Sequence, residues 1–208
     1  MNIEIDLRHT KTICVSLNES SNSKRREATT HLMNRLGYKR WEFFNAIRGK
    51  DAIEGCALSH IEVLSKHDFS EPLLLVEDDI SDSSFYNPIV TYPQETDALY
   101  VGYSWWAWDA ERARQSTLSE PTSATLEGNL YRISGMLSTH AILYVSKGYA
   151  LSAVEKMKAY LTDTTGNRHC DVALAKMQHR FNVYATPKHL FFQMCPRNTF
   201  WTNRSIEA

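Results

Sequence analysis

The sequence predicts an α/β fold in a single domain, residues 1–208, with a mostly parallel sheet flanked by helices. Its length of 208 residues suits one domain. Two continuous apolar runs, at 72–76 and 98–101, are typical of strands that helices cover on both faces. Segments with helical spacing alternate with these and other short apolar runs, which indicates repeated strand–helix units.

The elements of the first hundred residues follow from apolar spacing. Ala28, Leu32 and Leu36 lie four residues apart, and Gly37 follows them as a helix stop. Short runs of β-branched and aromatic residues, bounded by polar loops, predict strands. The predicted strands are 12–17, 41–46, 72–76 and 98–101, and the predicted helices are about 24–36 and 55–67.

The second half begins with an irregular segment, 104–128, that contains three tryptophans and is rich in Ser, Thr and Glu. A stretch of this length without periodicity predicts a long loop, and such loops are often functional. Ser146 predicts an N-cap for a helix whose buried face includes Leu151 and Met157. The other predicted elements are strands at 129–133 and 139–145, a helix at 171–180 and two short strands within 182–193.

Composition and charge exclude several classes of protein. The 23 basic and 24 acidic residues nearly balance, which argues against coating nucleic acid or an anionic membrane. With 43% hydrophobic and 23% charged residues, the chain is not intrinsically disordered. The four cysteines form no CxxC pair, no apolar stretch approaches 18 residues, and Met1–Asp6 does not resemble a signal peptide. We therefore expect a cytoplasmic protein with reduced cysteines.

Three adjacent carboxylates, Glu77, Asp78 and Asp79, directly follow the apolar run 72–76. Open α/β sheets bind their ligands at the carboxyl ends of strands. In an extended backbone Glu77 and Asp79 would face the same side, where a divalent cation would relieve their repulsion. The triplet therefore predicts a Mn²⁺ or Mg²⁺ site that neutralises a diphosphate, and a solvated turn after the strand is the alternative.

Two further segments have features of a phosphate site. Gly55–His60 is predicted to start a helix, where backbone amides meet phosphate and glycine permits close approach. Ser16–Glu19 ends the first predicted strand, and the basic residues Lys24–Arg26 follow it. Each has a simpler interpretation: His60 as a packed helix residue, and Lys24–Arg26 as a solvated helix face.

Six segments, in this order, resemble glycosyltransferase family 25, the lipooligosaccharide and collagen galactosyltransferases. The most specific pair is "GCALSHIEVL" followed by "LLLVEDDI". The others are "VSLNESSNSKRREATTHLMNRLG", "FFNAIRGK", "STHAILYVSKGYAL" and "HCDVAL". Together the matching pieces span about residues 12–175, most of the chain.

The resemblance implies a GT-A fold that binds a nucleotide sugar, usually UDP-galactose, with Mn²⁺. It implies transfer of galactose or glucose to a hydroxyl acceptor such as a glycan, as in lipopolysaccharide biosynthesis, with inversion at the anomeric carbon. Inversion needs a general base, and Asp171 of "HCDVAL" matches an acidic position in the family. A helix N-terminal residue favoured by the macrodipole is the alternative for Asp171. The implied donor-binding residues are Ser16, Leu17, Arg25, Ala46, Ser59, Glu77 and Asp78.

The implied metal ligands are Glu77, Asp79 and His189. On the acceptor side, His140 matches a segment of the family, and a structural histidine is the alternative. The segment 104–128 has no counterpart in the family. We interpret it as an acceptor-side loop in which Trp105 and Trp106 stack on a sugar or a base, with a buried tryptophan cluster as the alternative.

Three other functions stay open on the sequence. A catalytically silent carbohydrate-binding module would keep the fold and bind sugar through its tryptophans. A transferase acting on modified DNA bases would need a local basic patch, for which Lys24–Arg26 is the candidate. A nucleotide-sugar hydrolase or nucleotidyltransferase would use a similar acidic site. Product analysis separates these functions.

Overall fold

The structure, a computed structural model, describes residues 1–103, 123–162 and 168–194. The strands are β1 Asn2–Asp6, β2 Lys11–Ser16, β3 Trp41–Asn45, β4 Leu73–Glu77, β5 Ile80–Asp82, β6 Ile89–Pro93, β7 Ala98–Gly102, β8 Ser123–Glu127, β9 Leu130–Ser134, β10 Ala141–Tyr144, β11 Val183–Ala185 and β12 Phe191–Gln193. The α-helices are α1 Ser23–Leu36, α2 Ala52–Lys66, α3 Lys147–Thr162 and α4 Cys170–Ala175. No described helix is both long and apolar enough to cross a bilayer.

Ten strands of the described residues form one mixed sheet with the central order β3-β2-β4-β10-β7-β11-β9-β8. Strand β2 pairs in parallel with β3 and β4, and β7 pairs in parallel with β11. Strand β10 lies between β4 and β7 and is antiparallel to both. Five of the six strands from β3 to β11 in this order therefore run in one direction. The predicted α/β fold with a mostly parallel sheet is confirmed.

Both faces of the central strand β4 are covered. Leu73 and Leu75 pack in the core cluster formed with α2, α3 and α4. Leu74 and Val76 pack on the other face, with α1 and the separate antiparallel pair β1–β6. All four side chains are fully buried. This is the two-sided burial that the continuous apolar run predicts.

The C-terminus of α1 lies where the sequence predicts it, whereas the N-terminus of α2 does not. Gly37 ends α1 in the left-handed region, with φ of 82°, as expected of a C-cap glycine. Helix α2 starts three residues earlier than predicted, because Asp51 caps it by accepting a hydrogen bond from the Glu54 amide at 2.9 Å. Gly55 therefore lies inside the helix and its amide donates to the Asp51 carbonyl oxygen. The prediction that this helix starts at Gly55 is therefore wrong, and the Gly55 amide is already bonded within the helix.

The structure also adds strands that the sequence does not predict, namely β1, β5, β6 and β8. These strands contain polar and half-exposed residues, so they depend on pairing with neighbours rather than on an apolar run. Strand β8 occupies 123–127, the last part of the predicted loop 104–128. The rest of that loop lies outside the described residues.

Two predicted helices need correction. Leu151 of α3 is 46% exposed and does not belong to the buried face, whereas Val154 and Met157 are buried as predicted, together with Ala150 and Ala153. The predicted helix at 171–180 is a short α-helix, α4, followed by a 3-10 turn at Gln178–Arg180. The short helix suffices because Cys170 and Ala173 already reach the core beside α2 and α3.

Candidate functional site

A cavity of about 390 Å³ lies at the carboxyl ends of β2, β3 and β4. Since these strands are parallel, their last residues meet at one edge of the sheet, the usual ligand position in open α/β sheets. The segment 46–51 and the first two turns of α2 form the opposite wall. The lining residues are Val15, Ser16, Leu17, Asn22, Arg25, the segment 46–52, Gly55, Cys56, Ser59, His60, Glu77, Asp78 and Asp79.

All seven predicted donor-binding residues line this cavity. They are Ser16, Leu17, Arg25, Ala46, Ser59, Glu77 and Asp78. The hydroxyl of Ser59 is already engaged within the chain. It accepts a hydrogen bond from the Ile47 amide at 2.8 Å and donates one to the Gly55 carbonyl oxygen at 2.6 Å. Ser59 thus attaches the 46–51 wall to α2.

Glu77 turns its carboxylate toward the interior. Its Oε1 accepts a hydrogen bond from the Thr139 hydroxyl at 2.6 Å and lies 3.5 Å from Nε2 of His60. Burial raises the pKa of Glu77, but the His60 and Thr139 contacts and the nearby His140 outweigh it, so that the net pKa is lowered. Glu77 is therefore held as a carboxylate at neutral pH.

Asp78 is fully occupied by partners from β2 and α1. One carboxylate oxygen accepts hydrogen bonds from Ser16 Oγ and Asn22 Nδ2, both at 2.6 Å, and the other from Arg25 at 3.2 Å. Its backbone carbonyl oxygen accepts from the Thr29 hydroxyl at 3.1 Å. These bonds fix the end of β4 against the start of α1.

Asp79 is the member of the triplet with an unused ligand atom. Its Oδ2 accepts a hydrogen bond from Gln193 at 3.1 Å and lies 3.8 Å from the Arg25 guanidinium. Its Oδ1 is buried and forms no hydrogen bond. Burial, reinforced by the Glu77 charge, raises the pKa of Asp79 to about 6. A buried carboxylate oxygen without a partner fits a cation ligand, because a cation would supply the missing interaction.

Basic side chains lie on both sides of the cavity. Arg25 is nearly half exposed and faces the carboxylates, while Arg48 and Lys50 lie on the 46–51 wall. Arg48 pairs with Glu19, and the Lys50 ammonium lies 3.7 Å from Glu54. Acidic and basic groups across one cavity of this size suit a ligand that brings both a metal ion and a diphosphate.

The sequence analysis does not predict a group of possible metal ligands in the cavity wall, formed by Cys56, His60 and Glu77. Their ligand atoms lie within 4.8 Å of one another, and no other group of three or more His, Cys, Asp or Glu donors is this close among the described residues. Cys56 and His60 are four residues apart, so their shared helix face was readable from the sequence. That this face meets Glu77 depends on how α2 packs against β4.

Other predicted site residues do not line the cavity. His140 is buried behind Glu77, with Nδ1 hydrogen-bonded to Ser138 at 2.7 Å, and burial lowers its pKa to about 4. His189 packs edge-on against Tyr103 and lies outside the three-donor group, so the structure does not assemble the predicted Glu77–Asp79–His189 set. Trp105 and Trp106, the other predicted acceptor-binding residues, lie outside the described residues.

Asp171, the predicted base, sits at the start of α4 and does not line the cavity. One of its carboxylate oxygens accepts from the Val172 amide at 2.8 Å. The neighbouring residue Cys170 connects it to the cavity wall, since the Sγ atoms of Cys170 and Cys56 are 3.5 Å apart. Burial raises the pKa of Asp171.

No family profile and no curated protein matches the chain. Among solved structures, a nucleoside-diphosphate-sugar pyrophosphorylase from Vibrio cholerae RC9 matches with 14% identity and a TM-score of 0.47, over 89% of this chain and 76% of that one. A match at this level does not assign a function, and the resemblance to glycosyltransferase family 25 stays a prediction.

Proposed function

We propose that the protein is a metal-dependent inverting glycosyltransferase that moves a hexose from a nucleoside-diphosphate sugar to a hydroxyl acceptor. The observation that carries the proposal is the cavity at the parallel strand ends. It collects all seven predicted donor residues and the unpartnered Oδ1 of Asp79. A bound Mn²⁺ or Mg²⁺ would offset the negative charge that develops on the leaving diphosphate.

The different hydrogen-bond partners of the three carboxylates support a metal at Asp79. The Asp78 carboxylate is saturated by Ser16, Asn22 and Arg25, and Glu77 is turned to His60 and Thr139. Asp79 alone in the triplet presents a buried oxygen without a hydrogen bond. We therefore assign the donor's metal to Asp79, and assign Asp78 to holding the site in shape.

The basic residues of the cavity are placed for the diphosphate. Arg25 lies beside Asp78 and Asp79, so phosphate oxygens that share the metal would come within its reach. Lys50 is exposed on the facing wall, and its long side chain could leave the 3.7 Å contact with Glu54 to meet a phosphate. Positive charges from Arg25 and from Lys50, on facing walls of the cavity, would orient the diphosphate and leave the anomeric carbon of the sugar accessible to the acceptor.

Asp171 remains the proposed base. Burial raises the pKa of Asp171, which makes its carboxylate a stronger base than that of an exposed aspartate. Its place outside the cavity wall requires the acceptor to approach from the side of α4, where Cys170 and Cys56 meet.

Thermal unfolding with a panel of nucleotides and nucleotide sugars, in Mn²⁺ or in EDTA, tests the donor site. A ligand at 100 times its Kd should stabilise the fold by about 2.7 kcal/mol. We expect a Mn²⁺-dependent shift with one nucleotide class, absent in Asp79→Asn. The matched control is Asp82→Asn, a carboxylate of β5 that pairs with Arg35 and does not line the cavity.

Turnover then separates the transferase from its alternatives. Release of nucleoside diphosphate with an inverted glycoside as product supports the proposal. Saturable glycan binding without turnover would identify a binding module, and sugar phosphate as product would identify a nucleotidyltransferase or a hydrolase. A full Mn²⁺-dependent shift in Asp79→Asn would contradict the assigned metal ligand.

A further inference from the structure

We propose a second metal site, for Zn²⁺, in the wall of the cavity, with Cys56 Sγ, a ring nitrogen of His60 and a carboxylate oxygen of Glu77 as ligands. The site is distinct from the metal assigned to Asp79, which is not a member of this group. It goes beyond the proposed transferase activity, and its existence does not depend on that activity.

The positions of the three side chains suit one tetrahedral ion. Their ligand atoms lie within 4.8 Å of one another, and His60 Nε2 is 3.5 Å from Glu77 Oε1. Zinc bonds of about 2.0–2.3 Å place two ligand atoms roughly 3.3–3.8 Å apart at a tetrahedral angle. The histidine–glutamate spacing already meets this, and the remaining contraction needs only small side-chain rotations.

His60 provides the second, independent observation. It is completely buried, its Nδ1 has no hydrogen-bond partner among the described residues, and its Nε2 is in contact with the Glu77 carboxylate at 3.5 Å. A buried imidazole nitrogen without a partner is costly, and a metal ion bound to it would remove that cost. His60 lines the cavity beside Cys56 and Glu77, so an ion can reach it from there.

The donor set selects the metal. Thiolate and imidazole ligands favour Zn²⁺, whereas Mn²⁺ and Mg²⁺ prefer sites made only of oxygen. Three protein ligands leave the fourth position of a tetrahedral zinc open toward the cavity. Cys170 is the nearest additional thiol, with its Sγ 3.5 Å from Cys56 Sγ, but it is outside the three-donor group.

Metal content and cobalt spectroscopy test the site. The full chain is incubated with Zn²⁺, passed through gel filtration and analysed for metal, and a parallel sample is loaded with Co²⁺. We expect one zinc per chain, and with Co²⁺ a thiolate charge-transfer band with the visible bands of tetrahedral cobalt. Cys56→Ser should lose the charge-transfer band, and His60→Ala should bind Zn²⁺ at least about tenfold more weakly.

Cys170→Ser is the matched control, because it alters the neighbouring thiol and should keep both the band and the zinc. Asp79→Asn should also keep the zinc while losing Mn²⁺-dependent nucleotide binding, so the two metal proposals fail separately. Circular dichroism of each variant establishes that it is folded. No retained zinc in the wild-type chain, or a band lost in Cys170→Ser but kept in Cys56→Ser, would overturn the site.

Discussion

At the scale of single residues, the adjacent carboxylates Asp78 and Asp79 have different proposed roles: Asp78 holds the site in shape, and Asp79 binds the metal. Asp78 accepts hydrogen bonds from three side chains, whereas Asp79, the next residue, keeps one buried oxygen without a partner. Satisfied buried groups stabilise a fold, and an unsatisfied one costs free energy that a ligand recovers on binding. The raised pKa of Asp79 reflects this cost.

Asp171 offers a residue-scale prediction that separates stability from catalysis. Burial raises its folded-state pKa above the ordinary value of 3.8. Ionisation therefore disfavours the fold: this contribution lowers the free energy of unfolding as pH rises from 3.8 through the folded-state pKa, and is constant above that. Asp171→Asn should match the wild type near pH 3 and be more stable at pH 7, as measured by urea unfolding at both values.

The same variant should lower kcat by about 100-fold or more if Asp171 is the base. The Mn²⁺-dependent thermal shift with nucleotide should be unchanged, because Asp171 is not in the cavity wall. Asparagine retains the oxygen that accepts from the Val172 amide, so the helix start is preserved. Normal turnover in Asp171→Asn would assign the residue to the helix terminus alone.

At the scale of elements, the cavity wall depends on close backbone contact between the 46–51 segment and α2. A Cβ on Gly55 would lie 2.7 Å from the Ile47 carbonyl oxygen, and one on Gly49 would lie 2.5 Å from the Gly55 nitrogen. Neither atom belongs to a flexible side chain. Both glycines are therefore required by the close packing of the 46–51 segment on α2.

Gly55→Ala should consequently destabilise the protein by about 1–3 kcal/mol, because the wall must move away from α2. Nucleotide binding should weaken with it. The control is Gly148→Ala in the first turn of α3, where an added Cβ meets nothing within 4 Å. This substitution should leave nucleotide binding intact and raise stability by up to about 1 kcal/mol. Equal unfolding midpoints for the two variants in urea would contradict the packing argument.

At the scale of the whole molecule, burial predicts a gradient of local stability. Strands β4, β7 and β10 are fully buried at the centre of the sheet, apart from the partly buried Glu77. Strand β8 is largely exposed, and among the described residues it pairs only with β9. Amide exchange should therefore require global unfolding in the central strands and be fast in 123–127.

Nucleotide with Mn²⁺ should then slow exchange mainly at the segment 46–51 and at Glu77–Asp79, compared with the same nucleotide in EDTA. Hydrogen exchange followed by mass spectrometry measures both effects. Protection concentrated at β8 and β9, on the far side of the sheet, would place the ligand elsewhere.

The sequence predicted the architecture well because each central element has a local cause. The apolar run at 73–76 is buried on both faces, Gly37 ends α1, and Ser146 caps α3 by accepting from the Tyr149 amide at 3.1 Å. Edge strands such as β1 and β8 could not be predicted in this way. Their residues are polar and half-exposed, and pairing makes them strands: β1 pairs with β6, which is distant in the sequence, and β8 pairs in a hairpin with β9, which follows it.

The candidate site likewise has features that the sequence predicts and features that depend on packing. That carboxylates follow a buried strand, and that Cys56 and His60 share a helix face, can be read from the residue order alone. Packing sets the direction in which each carboxylate turns: Glu77 points inward to His60, Asp78 points to the start of α1, and Asp79 keeps one buried oxygen without a hydrogen bond. The physical reason is that strand and helix periodicity fix the direction of a side chain locally, whereas its partner comes from an element brought near by packing.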